Sequence, residues 1–347
     1  MSKSSHGATP LSISELVDAA VDFIVRPDRG PALDRLFSLI HAADRDALQT
    51  EVRSHLWLRW PEDWRILDSC KRQIDQQLSG NEFWPFGTAK IRAQLAYLAP
   101  ALAYFDVRGA EVMELGAGVF SPHVLSAYYY LNGAKACFAY DPSPIENKEN
   151  AARALMTLLT EAVLYPDRWD LGLIARADFL ARISNFDCDA LDRGDLDLGC
   201  KTAPIKVFNG DPAALLRECR VDYLFSASVL EHVYELPQFL IGLRQVLKPD
   251  AVMAHVVDFT DHGYHAGTCD HRWGYLTYGG GDGGGINRVR LSGMLRMLES
   301  HGFETLHLKR YTERVPGEVL DRLLPEYREL SSEDLETYLA VIVSRRI

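Results

Sequence analysis

The feature that most constrains the fold is a short apolar run that ends in two closely spaced glycines. The run is Glu111–Leu115, Gly116 and Gly118 follow it, and a stretch with helical spacing begins soon after. Glycine permits a tight turn and a close approach to a ligand, because it has no Cβ. The free N–H groups at the start of the following helix suit polar or anionic ligand groups. The segment therefore predicts a strand, a ligand-binding turn and a helix.

Six further apolar runs have the length of strands, and helical stretches separate most of them. The seven predicted strands are 111–115, 136–140, 205–209, 222–226, 252–258, 305–311 and 338–344. This alternation predicts an α/β fold with a mostly parallel sheet, since parallel strands require crossover connections. Two connections are long enough to be insertions, at about 150–203 and 263–290. The second contains the glycine-rich run 279–285, which is either a hinge for a loop that admits substrate or a disordered surface segment.

The first 105 residues have a different pattern, in which apolar residues recur every three or four positions. Such spacing predicts a series of amphipathic helices. We therefore expect an N-terminal helical cap over 1–105, which helps to form the substrate pocket, and a sheet-containing domain over 106–347. The aromatic patch Phe83–Gly87 is either a lid over the site or a hydrophobic staple between cap and core.

Acidic residues at the ends of the next strands indicate what the glycine turn binds. Asp141 ends the second strand, 23 residues beyond Gly118, and Asp211 follows the third strand. A carboxylate at the position of Asp141 can accept two hydrogen bonds from a ribose diol. The fingerprint of NAD-binding enzymes has Gly or Ala three positions after the second glycine, where this chain has Ser121. A nicotinamide cofactor is therefore disfavoured.

In combination, five motifs resemble those of class I S-adenosylmethionine (SAM)-dependent methyltransferases of the small-molecule type. They are Glu-Leu-Gly-Ala-Gly at 114–118, Asp141, Gly210-Asp211, Val-Leu-Glu-His-Val at 229–233 and Val-Leu-Lys-Pro-Asp at 246–250. The resemblance covers about 110–347. It implies a Rossmann-like, seven-stranded, mostly parallel sheet whose last strand pair is antiparallel, with SAM across the carboxyl ends of strands one to four. The family usually has glycine at the position of Asp250, in a turn that Asp tolerates.

The same resemblance implies which residues of the first two strands bind the cofactor. Gly116 and Gly118 would pass under the methionine part of SAM, and Glu114 would orient their loop. Asp141 would hold the ribose hydroxyls.

Further contacts are implied at the third and fourth strands. Asp211 would bind the adenine amino group, although an Asp-Pro pair after a strand also commonly caps the next helix. Ser226 and Ala227, at the end of the fourth strand, would lie near the sulfonium.

Two histidines are candidates for the acceptor side of the reaction. Methyl transfer from a sulfonium needs an aligned acceptor, and an acceptor that must lose a proton also needs a general base. His262 follows the fifth strand, and His232 lies just past the fourth. We favour His262, then His232, as a catalytic base or acceptor anchor. Simple packing beside the cofactor is the alternative for His232.

A metal site is disfavoured by the sequence. Some relatives, including O-methyltransferases of quinone precursors, use an E-x-x-E-H run to bind a divalent metal. Here the run is Ser228-Val-Leu-Glu231-His232, so that a hydroxyl replaces the first carboxylate. The residues of ligand type between His255 and His271 have no recognised metal-binding spacing. We therefore expect SAM as cofactor, S-adenosylhomocysteine (SAH) as product, and no metal.

Charge and composition exclude several classes of partner. The formal net charge is −11, which argues against binding to nucleic acid, because that affinity comes largely from Lys and Arg. No apolar run reaches membrane-spanning length, and the first thirty residues do not resemble a signal peptide. The six cysteines are scattered without a C-x-x-C pair, which favours reduced thiols in the cytoplasm.

Together these features predict a cytoplasmic SAM-dependent methyltransferase that acts on O, N or C of a small molecule, as a monomer or homodimer. A protein or RNA acceptor is disfavoured by the acidity and by Ser226-Ala-Ser-Val229, where an N-P-P-Y-type run would stand. A non-catalytic protein that binds SAM or a nucleotide is the alternative from another class. The intact glycines and acids speak against it.

Overall fold

The computed structural model describes residues 95, 98–118, 123–145, 147–164, 166–210, 212–265, 269–278 and 285–347. The predicted helices before residue 95, the patch 83–87, Asp211 and most of the glycine-rich run lie outside these residues. Contacts divide the chain into one unit of residues 1–90 and 157–168 and a second of residues 91–156 and 169–347. The predicted boundary near residue 105 stays a prediction.

The second unit is built on one seven-stranded sheet with the order β3-β2-β1-β4-β5-β7-β6. Strands β1 to β5 are parallel, and β7 runs antiparallel to both β5 and β6. The Rossmann-like prediction, including its antiparallel last pair, is confirmed. The strands are β1 (Glu111–Leu115), β2 (Ala136–Asp141), β3 (Ile205–Asn209), β4 (Val221–Ala227), β5 (Leu247–Asp258), β6 (Phe303–Thr312) and β7 (Thr337–Arg346).

Helices connect the strands, as the alternating pattern predicts. The α-helices are α1 (Val124–Leu131), α2 (Lys148–Leu164), α3 (Arg176–Ala181), α4 (Cys188–Asp192), α5 (Leu196–Gly199), α6 (Ala213–Glu218), α7 (Leu236–Val246), α8 (His262–His265), α9 (Leu291–Ser300), α10 (Gly317–Leu320) and α11 (Ser332–Glu336). Short 3₁₀ turns occur at Ala99–Tyr104, Pro166–Arg168, Arg182–Asn185, Leu230–His232, Gly274–Leu276 and Pro325–Tyr327. Among the described helices, none has the length and apolar character needed to cross a bilayer.

Both faces of the sheet are packed. Successive side chains of each strand point to opposite faces, so each strand contributes side chains to both layers. On one face Met113, Leu224 and Met253 lie in a core with the apolar sides of α6, α7 and α9. On the other face, the ring of Phe225 stacks on that of Tyr129 from α1, with centroids 4.4 Å apart. With both faces covered, the carboxyl ends of the parallel strands remain as the edge at which a ligand can bind.

The long connection between β2 and β3 contains the helix α2 and several short helices. Its acidic stretch, residues 187–197, caps two of the short ones. The carboxylate of Asp187 accepts the N–H of Ala190 in α4, and that of Asp195 accepts the N–H of Leu198 in α5. A carboxylate at such a position satisfies an N–H that has no partner within the helix. Both aspartates are exposed, so the stretch is in contact with solvent and also stabilises its own short helices.

Candidate functional site

The glycine turn after β1 lies against the loop after β4. Gly116 and Gly118 have φ values of +70° and +78°, in the left-handed region that favours glycine. The N–H of Gly116 donates to the carbonyl of Tyr140 at 2.8 Å, which ties the turn to β2. A Cβ on Gly116 would lie 2.2 Å from Cγ2 of Val229. Both the backbone conformation and the packing therefore require glycine at 116.

Asp141 at the end of β2 is hydrogen-bonded to the same turn. Its Oδ2 accepts the N–H of Gly118 at 2.8 Å, and its Oδ1 accepts the N–H of Ser143 at 3.0 Å. A carboxylate offers about four lone-pair directions, so two remain for a further donor pair such as a ribose diol. The predicted proximity of Asp141 and the glycine turn is thus present, while its contact with ribose stays a prediction.

Glu114 is buried in the middle of the sheet, two residues before the turn. It is 6% exposed, and its register partners are Ala139 in β2 and Phe225 in β4. Alternation places its side chain on the face that α1 covers, opposite Met113 and Leu115. This position suits a carboxylate that orients the turn, the role that the sequence assigns to it.

Ser226 and Ala227 occupy the last positions of β4, as predicted, but the Ser226 hydroxyl is already engaged. Ser226 and His255 are register partners across β4 and β5, and Oγ lies 2.6 Å from the Nδ1 of His255. Both side chains are buried, and burial lowers the pKa of His255 to about 4. A contact of Ser226 with the sulfonium would therefore use its backbone.

The two predicted histidines meet at the carboxyl ends of β4 and β5. The ring centroids of His232 and His262 lie 4.8 Å apart, and the rings are inclined at 62°. Glu231 joins them: one ligand-type atom from each of the three residues lies within 4.8 Å of the others. We call Glu231, His232 and His262 the Glu-His-His cluster.

Glu231 is the buried member of the cluster. Its side chain is 3% exposed, and its Oε1 accepts the N–H of Asp258 at the end of β5, at 3.2 Å. The other oxygen, Oε2, is buried without a hydrogen-bond partner among the described residues. Burial is the main cause that raises the pKa of Glu231 to about 8, and the carboxylate of Asp258 adds to it.

Asn287, beyond the glycine-rich run, holds the turn that carries Glu231 and His232. Its Nδ2 donates to the carbonyls of Leu230 at 2.7 Å and Val233 at 2.8 Å. Its backbone N–H donates to the carbonyl of Glu231 at 2.6 Å. One side chain thus closes the turn on both sides of the two cluster residues.

Hydrogen bonds fix the ring of His232 and the carboxylate of Asp261, the residue before His262. The Nδ1 of His232 lies 2.9 Å from the carbonyl oxygen of Gly285. A carbonyl only accepts, so Nδ1 carries the proton and Nε2 of the neutral ring has the lone pair. Next to His262, the buried carboxylate of Asp261 accepts the N–H of Gly263 and the hydroxyl of Tyr278, at 2.8 and 2.7 Å.

The structure therefore brings together most of the predicted site residues within two groups. Asp141 lies with the glycine turn, and His232 lies with His262; Asp211 is outside the described residues. Sequence reasoning missed Glu231 as a site member, together with Asn287 and His255. Glu231 was visible in the 229–233 motif, but nothing in the sequence indicated that Asn287 would bind its turn or that His255 would pair with Ser226.

Comparison with known proteins identifies the class of this domain. The model of a family described as "Methyltransferase domain" matches residues 83–308, more than half of the chain. No curated protein sequence matches the chain.

Solved structures with a similar fold include proteins of several activities. The chain is similar to an S-adenosylmethionine-dependent methyltransferase from Mesorhizobium loti, at 16% identity over 72% of this chain and 98% of that one, with a TM-score of 0.39. It is also similar to a chain of the Haloferax volcanii complex that contains the Trm112 methyltransferase activator, at 16% identity, 73% and 90% coverage and a TM-score of 0.38. The [4+2]-cyclase SpnF matches at 15% identity, 75% and 82% coverage and a TM-score of 0.40.

Proposed function

Because the chain belongs to the family of SAM-dependent methyltransferase domains, we propose that it methylates an oxygen, nitrogen or carbon atom of a small-molecule acceptor and releases SAH. The observation that carries the proposal is the Glu-His-His cluster, which stands at the carboxyl ends of β4 and β5. β4 lies between β5 and β1, and the turn after β1 is the predicted SAM site. The cluster can therefore face an acceptor that lies next to the cofactor's methyl group.

The geometry at the ends of the first two strands supports the proposed cofactor contacts. The free lone pairs of Asp141 accept the two ribose hydroxyls, while its present bonds to Gly118 and Ser143 keep the carboxylate in place. Gly116 and Gly118, with their left-handed φ values, pass under the methionine part of SAM. The complete proposed set is Glu114, Gly116, Gly118, Asp141, Asp211, Ser226 and Ala227.

On the acceptor side, the reaction is an in-line displacement. A lone pair of the acceptor atom forms the new bond to the methyl carbon as the carbon–sulfur bond breaks, and the electron pair stays on the sulfur of SAH. Positioning of the two reactants can contribute about 7–11 kcal/mol to such a step. His262, with His232 beside it, receives the proton of the acceptor or anchors the acceptor.

A small acceptor and a reducing compartment fit the composition. The net charge of −11 disfavours a polyanionic acceptor such as RNA. All five cysteines within the described residues are free, in keeping with the cytoplasm.

Calorimetry with SAH tests the cofactor part of the proposal. We expect micromolar binding by the parent chain and a loss of at least about 10-fold for Asp141→Ala, because two hydrogen bonds to a charged group disappear. Asp321→Ala, at an exposed position, removes the same charge and should bind as the parent does. Tighter binding of NADH than of SAH, or normal SAH binding by Asp141→Ala, would overturn the assignment.

A further inference from the structure

We propose that the Glu-His-His cluster is a binding site for a divalent transition-metal ion. The site itself is inferred from the three side chains, and its role toward the acceptor rests on the proposed function. The sequence predicts no metal here, because Ser228 replaces a carboxylate of the known run. The structure supplies a different third ligand, His262, which is 30 residues farther along the chain than His232 and belongs to another strand end.

The distances are close to those of a bound ion. The three ligand-type atoms lie within 4.8 Å of one another. Two donors that are each about 2.1 Å from a common metal are about 3.4 Å apart in a tetrahedral site and at most about 4.2 Å apart, so a pair at the outer distance needs to approach by about 0.6 to 1.4 Å. His232 is exposed and His262 is half-buried, so these rings have room for such a shift.

The donor set is one that transition metals prefer. Two imidazoles and one carboxylate form the protein ligands of many catalytic sites, which keep a further coordination position open. Glu231 points independently to a cation, since its Oε2 is buried without a hydrogen-bond partner among the described residues. Burial of such an oxygen is costly unless a hydrogen-bond donor or a cation compensates for the lost hydration.

Hydrogen bonds around the cluster orient two of its three ligands. The Nδ1–H of His232 donates to the carbonyl of Gly285, which leaves Nε2 as the nitrogen with the lone pair. Oε1 of Glu231 accepts the N–H of Asp258, which restrains the carboxylate. Hydrogen bonds from metal ligands to carbonyls and amides of this kind fix the tautomer and orientation of the ligands.

A metal in this position changes how the acceptor is activated. When bound, it supplies Lewis-acid chemistry that lowers the pKa of a coordinated hydroxyl group. The imidazoles then anchor the acceptor through the metal, and neither ring serves as a free base. An acceptor with a hydroxyl, or with two adjacent oxygens, fits the open coordination positions best.

Titration of the full-length chain with Co²⁺ tests the site directly. After chelator treatment, Co²⁺ should produce visible ligand-field bands, and added Zn²⁺ should displace them. Removal of a hydrogen-bond partner of a ligand typically costs 10–100-fold in affinity, so loss of a ligand itself should cost at least about 100-fold. We expect this loss in His232→Ala, His262→Ala and Glu231→Gln. His301→Ala, which removes a histidine at the end of α9, should leave the bands unchanged.

Three results would overturn the metal site: no bands, bands of equal intensity in the cluster variants, or an equal loss in His301→Ala. SAH calorimetry on the same samples shows whether the variants remain folded and separates the two proposals. If SAH binds and Co²⁺ does not, the metal inference fails and the methyltransferase proposal stands. If Co²⁺ binds through the cluster and SAH does not bind, the metal site stands and the proposed function fails.

Discussion

The contact between the glycine turn and Val229 allows a quantitative test of how the site is built. In Gly116→Ala, the added methyl group meets two penalties. The residue must keep a φ of +70°, and its Cβ must lie 2.2 Å from Cγ2 of Val229, well inside van der Waals contact. Since the neighbour is a branched side chain packed in the core, either the turn or Val229 has to shift.

The two penalties can be estimated separately. A non-glycine residue in the left-handed region costs about 1–2 kcal/mol, and overpacking of a well-filled site costs about 1–3 kcal/mol. We therefore expect Gly116→Ala to lower the free energy of unfolding by about 2–5 kcal/mol. Gly109, in the turn before β1, has a φ of +66° and no atom within 4 Å of its hypothetical Cβ. Gly109→Ala should therefore lower the free energy of unfolding only by the cost of the left-handed conformation, about 1–2 kcal/mol.

Urea unfolding of both variants measures the difference, and Val229→Ala completes a double-mutant cycle. In the Val229→Ala background the clashing methyl group is gone, so the effect of Gly116→Ala should fall toward that of Gly109→Ala. SAH calorimetry on the same proteins should show weaker binding for Gly116→Ala, because the turn is displaced. Equal destabilisation by Gly116→Ala and Gly109→Ala, or additivity with Val229→Ala, would refute this account of the turn.

Two further predictions concern the interior of the site. Burial lowers the pKa of His255 to about 4 from an unfolded value of 6.5, so its contribution to stability is present above pH 6.5 and is lost as the pH falls toward 4. The loss is about 3 kcal/mol. The urea midpoints of His255→Gln should therefore depend less on pH over this range than those of the parent chain. An unchanged pH dependence would contradict the prediction. Asn287→Ala removes two amide donors from the turn at 230–233. It should lower the free energy of unfolding by about 1–3 kcal/mol and weaken Co²⁺ binding, whereas unaltered Co²⁺ affinity would show that Asn287 does not position the cluster.

The fold class was readable from the sequence because it depends on local patterns. Short apolar runs alternating with helical spacing identify parallel strands and crossover helices, whatever the residues between them. The glycine turn and Asp141 were equally readable, since each follows directly from the end of one strand. The turn predicted at Asp250 is also present. Asp250 has a φ of +60°, in the region that the family's usual glycine favours.

The start of β5 shows a feature that local sequence patterns did not predict. The sequence predicts a strand from 252, but β5 begins at Leu247, which pairs with Val221 of β4. The intervening Lys-Pro-Asp forms an irregularity in the pairing with β4, in which Asp250 has a φ of +60°.

What the tertiary structure alone decided is which distant side chains meet. Ser226 contacts His255 because of the register between β4 and β5, and a shift of one residue would turn either side chain to the other face. Glu231 and His232 meet His262 because two loops converge beyond adjacent strand ends, and Asn287 fixes one of them from a third segment. Local propensity determines strands, helices and turns, whereas contacts across loops depend on the packing of the whole sheet. The sequence by itself therefore predicted the glycine turn and its neighbour Asp141, whereas only the tertiary structure brought Glu231, His232 and His262 together.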